Sequence, residues 1–171
     1  MLPEEVTQFI GKAIGGVTVM EVEKGAIRKF ADAMGDPNPL YWDEKHAKNS
    51  RYGSLIAPPG FFGWSSDPAD WQQPTARTEG APPSGVVEEL NAALERAGYT
   101  LLYDGGIEYE FFAPIHAGDV LNASSMIKDV YVREGRAAAM AFMIIETTYT
   151  NQNGDVAARG RSTVIRPKPR G

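Results

Sequence analysis

Residues 136–150 read RAAAMAFMIIETTYT, and within them Ala137 to Ile145 is apolar on both alternating sets of positions. A strand with one face in water alternates apolar and polar side chains, so this stretch predicts a strand covered on both faces. One cover is a helix; the other is a further helical layer or a second domain in a dimer. The segments around it are of the same kind. Ile107–Phe112, Val120–Val132 and Val156–Ile165 are strand-like, and Ala117-Gly118-Asp119, Glu134-Gly135 and Asn153-Gly154-Asp155 supply the turns between strands. Short connections of this type predict antiparallel pairing in chain order.

Upstream the period changes. Gly16–Val22, GVTVMEV, suits a short strand, and Ile27, Phe30, Ala31 and Met34 then fall at helical spacing before Gly35, which can end a helix in the left-handed region. Residues 35–41, GDPNPLY, form a stiff loop, because two prolines forbid a continued helix. Asp43 can cap a brief helix through Asn49, with a turn at Tyr52-Gly53. Residues 55–64, LIAPPGFFGW, combine proline at a helix start with three aromatics, which predicts the buried central helix. Ser65–Gly85 has no periodicity and reads as a lid around Trp71. Val86, Leu90, Leu94 and Ala97 restore helical spacing, with Ser84 as N-cap and Gly98 as stop. The basic, proline-broken tail 166–171 is expected to fray. The whole is one α+β domain, residues 1–171, in which an antiparallel sheet wraps a central helix.

Composition removes several functions. The 171 residues include 17 Lys+Arg and 22 Asp+Glu, a net charge of −5 with no basic tract, which excludes nucleic acid as a partner. No cysteine is present, so disulfides, thiolate metal sites and a cysteine nucleophile are excluded. The two histidines, His46 and His116, have no metal-ligand spacing, and no metal is expected. The apolar run 137–145 is far short of the roughly 20 residues of a membrane helix. Glu4 and Glu5 stand where a signal peptide would be basic, so a cytoplasmic protein is expected.

Residues 30–41, FADAMGDPNPLY, resemble the signature loop of the MaoC-like hydratases and dehydratases. Residues 50–59, SRYGSLIAPP, are similar to the segment before the central helix in the N-terminal dehydratase type of that family. Gly105-Gly106, then Glu108, Tyr109, Phe111, Pro114 and Gly118-Asp119, resemble its strand and turn. The likeness runs from about Gly16 to Ile165. It implies the hot-dog fold, pairing of two such domains as a homodimer or heterodimer, and acyl thioesters of coenzyme A or acyl carrier protein as ligands, with no separate cofactor. The implied chemistry is reversible hydration of a 2-enoyl thioester, as in fatty acid metabolism.

Catalytic members of that family place a histidine five positions after the aspartate. Here Asp36 takes the carboxylate position and Tyr41 the histidine position, and a phenol with a pKa of about 10 is a poor base at neutral pH. Pro58-Pro59 replaces a His-Gly pair whose glycine N–H polarises the thioester, leaving Gly60 or Phe61 as the next backbone donor. Each residue also has a plain structural reading. Asp36 and Asn38 are ordinary turn formers, Tyr41 can anchor a loop, and Phe61, Phe62 and Trp64 can be core. His46 lies in a solvated stretch and His116 in a turn.

The expected site is therefore Asp36 and Tyr41 as catalytic residues, with Asn38, Pro59, Gly60, Phe61 and Trp64 against the substrate. Arg51, Arg77, Arg166, Lys168 and Arg170 are candidate cations for coenzyme A phosphates. Three functions follow: a hydratase or dehydratase, a non-catalytic subunit that binds the acyl chain beside a catalytic hot-dog partner on another polypeptide, and a hot-dog thioesterase.

Overall fold

The computed structural model describes residues 2–65, 85–135 and 138–169. Short helix α1 (Glu4–Thr7) leads to strand β1 (Ala13–Glu21), helix α2 (Lys24–Ala33), and two short helices, α3 (Pro39–Trp42) and α4 (Glu44–Asn49). Strand β2 (Trp64–Ser65), helix α5 (Val86–Arg96) and strands β3 (Tyr103–Phe111), β4 (Val120–Glu134), β5 (Ala139–Thr150) and β6 (Val156–Lys168) complete the chain. The strands form one six-stranded antiparallel sheet in the order β2-β1-β4-β5-β6-β3.

That order corrects the expectation of pairing in chain order. The hairpins β4-β5 and β5-β6 are sequential, but β3 crosses to pair with β6, Tyr109 opposite Gly160, and so occupies the far edge. Gly160 permits the pairing, because a Cβ there would stand 2.8 Å from the Tyr109 ring.

The local signals explain most elements. Gly35 leaves α2 at φ +64°, its N–H bonded to the Asp32 carbonyl and that of Asp36 to the Ala31 carbonyl. Ile27 and Ala31 are buried as expected, whereas Met34 at the end of the stripe is 68% exposed. Asp43 caps α4 by accepting from the N–H groups of Lys45 and His46 at 2.8 and 3.0 Å. The stiff loop contains one more helical turn than expected, α3, with Pro39 at its first position and Asn38 accepting from Leu40 N.

Helix α5 packs on the sheet, whereas residues 55–64 supply no helix. Leu90, Ala93 and Leu94 pack with Ile127, Val130, Ala141 and Met143 of β4 and β5. Residues 58–63 contain no helix. Their aromatics are buried by an irregular strand-like segment: Phe62 stacks on Tyr149 at 3.9 Å and packs against Tyr109 at 5.0 Å. Burial beside Tyr109 pushes the Tyr149 phenol up to about 12. Gly63, at φ +94°, lies where any Cβ would collide with the Glu21 carbonyl. The second core cluster therefore joins Phe61 and Phe62 to Ile27, Tyr41, Ile115 and Leu121.

The tail differs from expectation. Strand β6 runs to Lys168, and Arg166 is only 3% exposed. Its guanidinium donates to the Tyr99 carbonyl, Asn91 Oδ1 and Glu95 Oε1 at 3.0, 2.7 and 2.9 Å, tying β6 to α5. The proposed lid around Trp71 and the cap Ser84 lie outside the described residues.

Candidate functional site

The 38–41 turn, the 51–59 segment and the end of β3 with its following loop enclose a cavity of about 580 Å³. Leu40, Ile56, Ala57 and Ile115 form apolar walls together with Phe111 to Pro114. Its polar groups are Asn38, Tyr41, Arg51 and Tyr52. The walls hold together through backbone bonds: Ala57 N to the Ile115 carbonyl and Ala117 N to the Leu55 carbonyl, around the bridge between Ile56 and His116. A mostly apolar slot with a few convergent polar groups suits an amphipathic ligand.

Tyr41 is buried, at 6% exposure. Burial and the charge of Asp36 raise its phenol above the ordinary value, and a hydrogen bond from Asn38 only partly opposes them. At neutral pH it is therefore a hydrogen-bond donor and not a base. Asp36 does not line this cavity. Its carboxylate accepts from Asn38 N at 3.0 Å, its carbonyl accepts from Trp42 Nε1 at 2.9 Å, and it borders a separate recess with Gly35, Pro37 and Trp42. The two residues five apart in sequence thus border different recesses, close enough for the carboxylate charge to act on the phenol.

Of the residues expected against substrate, Asn38 and Pro59 line the cavity, and Gly60, Phe61 and Trp64 do not. Phe61 is core, 5.2 Å from Phe30 by ring centroid. Its N–H is engaged by the Pro58 carbonyl at 3.0 Å, and no helix begins at Pro59 to lend its positive end. Neither histidine enters the cavity. His46 is on α4, and His116 Nδ1 lies 2.8 Å from Ser54 Oγ, with its backbone N donating to Asp119. Among the described residues no group of three or more His, Cys, Asp or Glu side chains is placed to hold a metal.

Sequence reasoning missed Tyr52, Phe111 and Phe112 as cavity residues. One signal was available: a strand can bury only one of two consecutive aromatics on a given face, so Phe111-Phe112 before Pro114 announces an aromatic left outside the core. Phe111, the last residue of β3, and Phe112 are 45% and 50% exposed, as Tyr103 and Ile107 are at 56% and 53%, and among the described residues β3 is an edge strand. Among the described residues no helix is long and apolar enough to cross a membrane.

The FAS1-like, dehydratase domain region family matches residues 8–159. A probable enoyl-CoA hydratase alpha subunit of Thermomonospora curvata is 29% identical over 146 residues, 84% of this chain and 44% of the relative, so the chain spans less than half of that protein. The ChsH1-ChsH2 complex from Mycobacterium tuberculosis contains a chain that superposes with a TM-score of 0.75 at 19% identity, covering 98% of this chain and 92% of that one. The MaoC-like dehydratase from Rhodospirillum rubrum superposes with a TM-score of 0.56 at 21% identity, covering 95% and 94%. At these identities the superpositions show the fold, and the sheet around α5 is the hot-dog fold.

Proposed function

Since the chain belongs to the FAS1-like dehydratase domain region family, we propose that it is the thioester-binding hot-dog subunit of an enoyl-thioester hydratase or dehydratase. In this reading the acid–base pair comes from a partner subunit. The observation that carries it is the lining of the 580 Å³ cavity, which has a phenol raised above its ordinary value and no carboxylate or imidazole among its described residues. Adding water to a 2-enoyl thioester needs one group to take a proton from water and one to deliver a proton to the α-carbon. Tyr41 and Asn38 can orient a thioester, but neither can do the first task at neutral pH. The thioester's own carrier, coenzyme A or acyl carrier protein, is the only cofactor this reading requires.

The partner's place is the free edge of β3. Among the described residues β3 is an edge strand paired on one side with β6, with Tyr103, Ile107 and Phe111 exposed, and it leads directly into the cavity wall at Phe111 to Pro114. A second hot-dog sheet added there covers the exposed apolar side chains and brings its own residues to the cavity. The chain of similar fold from Mycobacterium tuberculosis is part of a ChsH1-ChsH2 complex, which supports a hetero-oligomer.

The test is loss of the enoyl chromophore of a 2-enoyl-CoA, measured for this chain alone and together with a hot-dog partner bearing an intact Asp-His pair. Activity only in the complex is expected; full turnover by the chain alone overturns the reading. That second possibility, with Asp36 and Tyr41 as the pair, draws support from the effect of the Asp36 charge on Tyr41. Release of free thiol would instead mark a thioesterase.

A further inference from the structure

We infer that Arg51 is the anion-binding residue of this cavity and receives a phosphate or carboxylate carried by the thioester ligand. The inference rests on the cavity being the thioester site. It begins from a contrast among the arginines. In the described residues Arg28, Arg96, Arg159, Arg161 and Arg166 each have a carboxylate oxygen within 4.0 Å. Arg133 lies over the Tyr131 and Phe142 rings near the end of β4. Arg51 alone combines a cavity position with no carboxylate partner among the described residues.

Its geometry suits a receptor of anions. Arg51 Nη2 donates to Tyr52 Oη at 2.6 Å, and the guanidinium lies over the same ring at 4.8 Å. Stacking on a neighbour that also lines the cavity restrains the long side chain while leaving most of its N–H donors without a protein partner among the described residues. A planar fork of donors fits two oxygens of a phosphate or carboxylate, and an apolar wall beside it strengthens the contact. In a chain of net charge −5, an anionic ligand is held by a local cation and not by the overall field.

The other candidate cations fall away. Arg166 is consumed by the clamp on α5, and Lys168 donates to the Ala97 carbonyl at 2.9 Å. Arg77 and Arg170 lie outside the described residues.

Four saturated thioesters separate the sources of the anion. Octanoyl-CoA carries all the phosphates, octanoyl-dephospho-CoA lacks the 3′-phosphate, octanoyl-pantetheine carries no charge, and suberyl-pantetheine carries only a terminal carboxylate. Calorimetric titration of the full chain, alone and with its partner, is compared for wild type, R51Q and R51K. R51Q is expected to weaken the anionic ligand by about 10- to 100-fold, to leave octanoyl-pantetheine unchanged, and to be partly rescued by R51K. Loss confined to the coenzyme A thioesters assigns the anion to phosphate, with the dephospho compound telling which. Loss confined to suberyl-pantetheine assigns it to the acyl end. If wild type and R51Q bind every ligand alike, the assignment of Arg51 is overturned and the thioester site stands. If wild type binds no thioester, charged or not, the site reading falls and the assignment with it. Arg51 is exposed, so an unchanged melting temperature for both variants confirms that folding is not the cause.

Discussion

The free edge of β3 can be tested with one substitution, Ile107→Lys. Ile107 is 53% exposed in the single chain, so lysine there reaches water easily and should change the chain's own stability by no more than about 0.5 kcal/mol. In a complex paired through β3 the same position is covered. Fully burying an isoleucine contributes about 1.5–3 kcal/mol, and roughly half of that, about 0.8–1.5 kcal/mol, remains to be gained at a side chain so exposed. The lysine stem can carry its ammonium past the neighbouring sheet toward water, which holds the added desolvation cost to about 1–3 kcal/mol, below the several kcal/mol of a fully buried ion. The complex should therefore weaken by about 2–4 kcal/mol, a factor of roughly 30 to 1,000 in Kd. Sedimentation and calorimetry with the partner subunit measure the change, and a denaturant midpoint confirms the fold. Val17→Lys on β1, where valine is 61% exposed, is the control and should leave association unaltered. A folded I107K variant that associates within about threefold of wild type refutes the placement of the partner.

Three further outcomes follow from particular contacts. Arg166→Met removes three donors and leaves the Tyr99 carbonyl without its partner; unfolding in guanidinium should show a loss of about 2–4 kcal/mol, and a loss under about 1 kcal/mol would mean the clamp is idle. At Glu146, burial pushes the carboxyl up, but hydrogen bonds from Arg161 and Lys128 outweigh it and hold the group below the usual carboxylate range. Its folded value is thus lower than its unfolded one, so its contribution is complete above the unfolded value and disappears as pH falls through the folded one. The stability gap between wild type and Glu146→Gln should accordingly shrink on acidification, and a gap that widens contradicts the sign. Asp36→Asn, finally, keeps an acceptor for Asn38 N and stands outside the cavity; affinity for octanoyl-CoA should stay within about threefold, and a tenfold loss would place the carboxylate at the ligand.

The legible parts of the fold were those specified by neighbours in sequence. Gly35 as a helix stop, Asp43 as a cap, the Asn153-Gly154 turn and the periodicity of α5 depend on bonds spanning a few residues. What stayed hidden depends on distant partners. The crossing of β3 to β6 brings Tyr109 beside Gly160, and no local pattern in either segment announces the other. Residues 55–64 have the composition of a helix entry, yet the stack of Phe62 on Tyr149 and the approach of Gly63 to the Glu21 backbone bury their aromatics without one. Arg166 looked like tail because proline and lysine surround it; its acceptors come from residues 91–99, far back in the chain. For the site, the 36–41 motif correctly drew attention to the turn, and Tyr41 and Asn38 do face the cavity. That Asp36 borders a separate recess, with its carboxylate bonded to Asn38 N, is not encoded by the spacing of the motif.

Tyrosine at position 41 has a chemical logic of its own. A group that takes a proton from water near pH 7 needs a pKa close to ambient, and both burial and the neighbouring Asp36 charge move this phenol the other way. The same two influences make it a dependable donor, since a neutral O–H is favoured wherever its anion is penalised. The carboxylate that would be half of a catalytic pair beside an imidazole acts here, beside a phenol, to keep the proton on. On the proposed reading, a thioester held by such a wall is bound without being turned over until a base arrives. In the proposed complex the base enters from the side where Phe111 to Pro114 continue β3, an edge strand among the described residues, because a sheet added there brings new side chains to the cavity.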